Sequence, residues 1–135
     1  MSFPSFGSRR GSTVIESALV LLVFAILLAG IMELGFTGLV TNSISFAAQR
    51  AARYAAVRGS GSGHSASATD VRSVAQSYAA PLGGSALTVN VTWAPDNNPG
   101  STVSVKVSYA IKPLLLPISS SVLTLQRTAS QTIVQ

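Results

Sequence analysis

The chain has no cysteine, and across its 135 residues only four acids, Glu16, Glu33, Asp70 and Asp96, stand against nine basic residues, a formal net charge of +5. Without cysteine there is no disulfide framework, no thiol nucleophile and no thiolate metal site, and the redox compartment stays open. One histidine, His64, and four scattered carboxylates offer little that can converge into a catalytic constellation. His64 stands in a Gly/Ser run, where a solvated surface role is the simple account. Asp70 opens a short helix, where an acid suits the dipole, and Asp96 lies in a turn. Serines are plentiful, yet no Gly-x-Ser-x-Gly elbow and no phosphate-cradling P-loop accompanies them. The expectation is a protein that is not an enzyme, with no catalytic residue, no metal and no cofactor.

What the chain does have is apolar bulk, 47% of its residues, with a mean hydropathy of +0.47. Most of the excess lies in one run. From Ser17 to Val40 the only ionisable residue is Glu33, and the run exceeds the roughly 20 residues needed to cross a bilayer. It is also longer than the ~7–15-residue core of a cleavable secretory signal, and no A-x-A-like site follows it. A single transmembrane helix over about 17–40 is the reading. Arg9, Arg10, Arg50, Arg53 and Arg58 flank it, so contact with anionic lipid headgroups explains the basic surplus more simply than nucleic acid does. The closeness of Arg9 and Arg10 to the span favours an inside amino terminus and an exported carboxy-terminal part.

Past Thr13 nothing but scattered glycine interrupts a helix until about Arg58, roughly 67 Å of helix and about twice the hydrocarbon thickness. Half of it must stand outside the membrane. There Ala47, Ala51 and Ala55, and likewise Ala48, Ala52 and Ala56, recur at four-residue spacing and form two smooth rows. Small rows let helices approach closely, and the residues are read as a helix-packing face. The competing account is that alanine is the best helix former. Ala25, Ala29, Gly30, Gly35 and Gly38 continue the supply of small residues inside the span.

The remainder is small and mixed. The run from Gly59 to Ser65 reads as a flexible linker within 59–67. A short amphipathic helix capped near Thr69 places Val71, Val74, Ala75 and Tyr78 on one side, and Pro81 with Gly83-Gly84 closes it. Leu87, Val89, Val91 and Trp93 alternate with polar residues as a strand. The turn-rich stretch from Pro95 to Gly100 leads to its antiparallel mate, with Val103, Val105, Val107, Tyr109 and Ile111 on one face. After Pro113 to Pro117 a last extended segment runs from about Val122 to Val134. The fold class is α+β: a long amino-terminal helix, then over 68–135 a short helix and a three-stranded antiparallel sheet. A core this small is marginal alone, and stability should depend on docking against the long helix or on neighbouring subunits.

The mouth of the apolar run carries one costly residue. Gly11-Ser12-Thr13-Val14-Ile15-Glu16 follows Arg9-Arg10, and a carboxylate at the start of a hydrocarbon-spanning helix calls for a partner charge. Cutting after Gly11 would create such a charge, the α-amine of Ser12, with Glu16 as fifth residue of the mature chain. The alternative is that Gly11 is merely flexible and Glu16 a first-turn acid favoured by the helix dipole.

The arrangement resembles the processing site of type IV prepilins and pseudopilins. The resemblance implies a basic leader, 1–11, removed on the cytoplasmic side by a prepilin peptidase. It implies Gly11 before the scissile bond, Ser12 as the new terminus, and Glu16 as the carboxylate that meets a neighbouring subunit's amine during assembly. Many pilins start on an aromatic or large apolar residue, and Ser12 departs from that. Further along, the turn from Gly30 to Gly35 around Glu33, the stretch from Ala47 to Val57, and Tyr109 to Leu114 after the paired strands resemble the TadE-like proteins of bacterial tight-adherence (Tad/Flp) pilus systems. Family members usually carry a glycine where this chain has Ala51 or Ala52.

The resemblance implies a minor pilin or pseudopilin in the bacterial cytoplasmic membrane, or outside the cell once in a pilus. Its partners would be other pilin subunits, the assembly machinery, the peptidase and membrane lipid, without nucleic acid, in an oligomeric or filament-associated state. A permanently anchored envelope scaffold or binding protein is the alternative. Glu33, seventeen residues after Glu16 and so roughly 25 Å along the axis, falls near the opposite membrane face, where it meets either a polar group of another helix or the headgroups.

Overall fold

The computed structural model describes residues 8–83, 86–111 and 122–135, with side chains from residue 11 onward. The first seven residues of the expected leader, Gly84, and the stretch from Lys112 through the Pro113 to Pro117 run lie outside the described residues. The chain is α+β: helix α1 (Ser8–Ala56), helix α2 (Ala68–Tyr78), then strands β1 (Leu87–Ala94), β2 (Thr102–Ile111) and β3 (Leu123–Thr132) in one antiparallel sheet of order β1-β2-β3. The last residues of the expected leader, from Ser8, already belong to α1.

Helix α1, 49 residues long, changes surroundings partway. From Val14 to Leu39 its large apolar side chains are exposed, and from Val40 one side of it is buried against the rest of the chain. The apolar stretch has a mean hydropathy of 2.7 over its best window, enough by length and composition to cross a membrane. Val40 is the first of its residues to be buried by the folded domain.

The distal half of α1 buries Val40, Ile44, Ala47, Ala48, Ala51, Ala52, Ala55 and Ala56, spaced by three and four residues so that they share one face. That face is covered from within the chain by β2, β3 and α2. The spacing of the six alanines marks a packing face without naming its partner, and in this chain the domain's own elements cover it. The physical reason is shape. Alanine leaves room for the branched side chains opposite, and Val103, Val105 and Val107 at the centre of the sheet are fully buried.

The sheet register follows the alternation of the sequence. Val89 opposes Val107, Val91 opposes Val105 and Trp93 opposes Val103, so β1 and β2 present one apolar face inward. The other face carries Thr88, Asn90, Thr92, Ser104, Lys106, Thr128 and Ser130. Strand β3 pairs with β2 over ten residues although its own alternation fails at Arg127 and Gln131, because the β2 ladder and the packing of α1 across it supply what its pattern lacks.

Helix α2 starts slightly earlier than its sequence suggests. Its N-cap is Ser67, not Thr69: the Ser67 hydroxyl accepts from the Asp70 amide at 3.2 Å while the Asp70 carboxylate accepts from the Ser67 amide at 3.0 Å.

The Gly/Ser run is not a free tether. The Ser60 amide donates to the Asn97 carbonyl at 2.9 Å, the Ala66 amide donates to the Arg58 carbonyl at 2.8 Å, and the Val134 amide reaches the Ala56 carbonyl at 3.0 Å. Gly59 is buried where the end of α1 meets the last residues of the chain. A Cβ there would collide with the Gln135 carbonyl oxygen and with Ile133 Cγ2, and would sit 3.2 Å from the Asn97 oxygen. Gly59→Ala is therefore expected to lower stability by about 1–3 kcal/mol, the usual cost of overfilling a packed site. Thermal unfolding followed by near-ultraviolet circular dichroism on the detergent-solubilised chain checks it. An unchanged midpoint would mean that the carboxy-terminal residues give way at no cost.

Candidate functional site

The proximal end of α1 brings Gly11, Ser12 and Glu16 onto a continuous helix, all three exposed. A Cβ added at Gly11 would meet nothing within 4 Å, so packing inside the chain gives no reason for glycine there. Glycine does weaken the helix locally, which eases the unwinding that a protease needs around its scissile bond. Ser12 and Glu16 are four residues apart and so lie one turn above another on the same side.

Helix α1 has no acid in its first turn. Because it begins at Ser8, Glu16 stands in the third turn, beyond the reach of the dipole, whose effect falls off within the first. The dipole account of Glu16 therefore does not hold for the uncut chain; it applies only to a helix that starts at Ser12.

Glu33 is half-buried toward the outer end of the apolar stretch, and its backbone carbonyl accepts from the Thr37 hydroxyl at 2.9 Å. It is seven residues, about 10 Å, short of Val40. Gly30, Gly35 and Gly38 have open space where a Cβ would be.

The domain's two carboxylates are occupied locally. Hydrogen bonds from the Ser67 hydroxyl and amide, with the Arg58 charge nearby, hold the Asp70 carboxyl below its ordinary range. Asp96 is lowered by the Ser101 hydroxyl and by the Asn98 amide and side chain, which tie the β1–β2 loop together. His64 is exposed on a groove of about 690 Å³ shared with Tyr54, Arg58 and Asp70. Trp93 and Tyr109 are half-buried against the core.

Sequence reasoning assigns the arginines beyond the span to lipid and misses how they are held. The Arg50 guanidinium lies 4.9 Å from the Phe46 ring centroid and 5.8 Å from that of Tyr78, and the two rings meet edge to face at 5.6 Å. Arg58 lies 4.2 Å over Tyr54. The signal is present in the four-residue spacing of Phe46 and Arg50 and of Tyr54 and Arg58, which places ring and cation on one side of a helix.

Among the described residues these features define one membrane-capable apolar helix whose distal half forms part of a small α+β domain. Residues 11–53 match the family described as TadE-like protein, the family that the sequence resembles. The match starts at Gly11 and ends within the distal half of α1, about a third of the chain, so α2 and the sheet lie outside it. No curated protein and no solved structure matches the chain. The family match and the apolar helix fit a membrane protein related to the Tad pilus.

Proposed function

We propose that the chain is a minor pilin or pseudopilin of a Tad/Flp-type adhesive pilus, a structural subunit without enzymatic activity. It is inserted once in the cytoplasmic membrane with its amino terminus inside and its α+β domain outside. A prepilin peptidase removes the leader after Gly11. The new Ser12 amine of one subunit then neutralises Glu16 of another as helices come together in the apparatus. The observation that carries the reading is Glu16 itself. It is an exposed carboxylate in the third turn of a helix whose next two dozen residues are otherwise nearly free of charge. The matched family segment that opens at Gly11 supports the same reading.

Intact-mass measurement on protein extracted from membranes of cells that hold the cognate peptidase tests it. The expected species begins at Ser12. A protein that retains Met1 in those cells would remove the pilin reading and leave a permanently anchored scaffold.

A further inference from the structure

The outward side of α1 beyond the span, with the residues just past its end, is a cationic face whose one nearby acid among the described residues, Asp70 beside Arg58, is already engaged by Ser67. Arg50, Arg53 and Arg58 are all exposed on it, and among the described residues none of them has an ion pair. Three surface hollows share these residues in their lining. A cavity of about 310 Å³ between Phe46, Arg50, Arg53 and Gln131 adjoins one of about 290 Å³ running to Tyr54, Val74 and Tyr78. The second shares Tyr54, Val57 and Arg58 with the larger groove beside His64.

Stacking fixes two of the three cations. A guanidinium that lies on an aromatic ring keeps its in-plane N–H donors for a carboxylate and loses less freedom when it binds one.

The chemistry and the placement select the occupant. From Val40 onward the chain has seven basic residues and two acids, and both acids are already held by nearby hydroxyl and amide donors, Asp70 at the start of α2 and Asp96 in the β1–β2 loop. A second copy brings the same surplus, so this face repels it. Lipid is too far away. Arg50 and Arg53 follow Val40 by ten and thirteen residues, about 15 and 20 Å along an upright helix, and Arg58 lies just past the helix end at Ala56, whereas headgroups extend only about 5–7 Å beyond the hydrocarbon. An ordinary tilt of about 20° changes those heights little.

We propose that the Arg50, Arg53 and Arg58 face docks an Asp/Glu-rich segment of a different protein, with Arg50 and Arg58 as stacked, carboxylate-gripping anchors. The inference goes beyond the pilus reading and needs only that the face lies past the span, so leader cleavage and binding at this face are separate readouts.

The test uses the full chain in nanodiscs of neutral lipid and a dye-labelled glutamate-rich helical peptide, read by fluorescence anisotropy over a salt series. Replacing Arg50, Arg53 and Arg58 together by glutamine is expected to weaken binding about tenfold or more. Replacing Arg72, Lys106 and Arg127 by glutamine removes equal charge elsewhere and is expected to leave affinity within about twofold. Arg50→Lys with Arg58→Lys keeps the charge but not the planar fork, and is expected to lose most of the same affinity. Circular dichroism on each variant confirms the fold. Equal losses from the two triple variants, or full binding by the lysine variant, would overturn the proposal in favour of unspecific charge. So would association of the nanodiscs with anionic vesicles, in place of the peptide, that is lost with Arg50, Arg53 and Arg58, which would assign the face to lipid.

Discussion

Replacing Ala51 and Ala52 together by leucine is expected to disrupt the α+β domain while leaving the apolar stretch of α1 able to enter a membrane. Both alanines are fully buried, and the face they share meets β2, β3 and α2. Each leucine adds an isopropyl group where the valines of the sheet already fill the space. Overfilling of this kind costs about 1–3 kcal/mol per site. The two residues are neighbours in one cluster, so their effects need not add. Even so, a loss of several kcal/mol is a large share of the roughly 5–15 kcal/mol that a domain has, and small domains lie at the low end. Limited proteolysis of membranes bearing the double variant should cut the domain rapidly while the chain stays in the membrane fraction. Protease resistance equal to the parent would show that the helix can stand off the sheet without penalty. A defect confined to co-purification with partners, in a domain that still resists protease, would return the alanine face to contacts between subunits.

Glu16→Gln is expected to leave insertion and leader removal intact and to abolish incorporation into the pilus apparatus. Before cleavage Glu16 lies beyond the first turn of α1, so its own helix gains little from it. After cleavage at Gly11 it is the fifth residue, at the edge of the first turn, where a dipole contribution is at most about 0.3–1 kcal/mol and its loss would be tolerated. Pairing with a neighbouring Ser12 amine in a low-dielectric bundle is of another order, because removing one partner strands the other charge at a cost of roughly 3–5 kcal/mol. At about 1.4 kcal/mol per factor of ten, that difference separates a mild defect from no assembly. Immunoblots of sheared pili and surface-adhesion assays on the mutant, with intact mass to verify cleavage, read the outcome. Normal piliation by the Glu16→Gln variant would exclude the amine-pairing mechanism whatever happens at Gly11.

Much of this molecule is written in local patterns. The run from Ser17 to Val40 identifies the apolar helix because a bilayer-length stretch with one charge has few other homes. Strict alternation from Leu87 to Trp93 and from Val103 to Ile111 specifies β1 and β2 with their faces, since a slip of one residue would put every valine into solvent. The residues around Gly11 and the distal alanines also carry the likeness to the TadE-like family, over the segment that its match covers.

Other features depend on residues far apart in the chain, and no local pattern encodes them. Arg127 and Gln131 weaken the β3 pattern, yet its ten residues pair because β2 and α1 are already in place beside it. The Gly/Ser run has the composition of a tether, and only the approach of Ile133 and Gln135 to Gly59 turns it into a packed corner. The alanine rows announce close packing but not against what. Spacing along one helix records which residues share a face, while the partner of that face is set by how α2 and the sheet fold back upon it. The same fold-back brings Tyr78 to Phe46 and Arg50, so the stacked arginine face is half legible as four-residue spacing and half a product of tertiary contact between two helices.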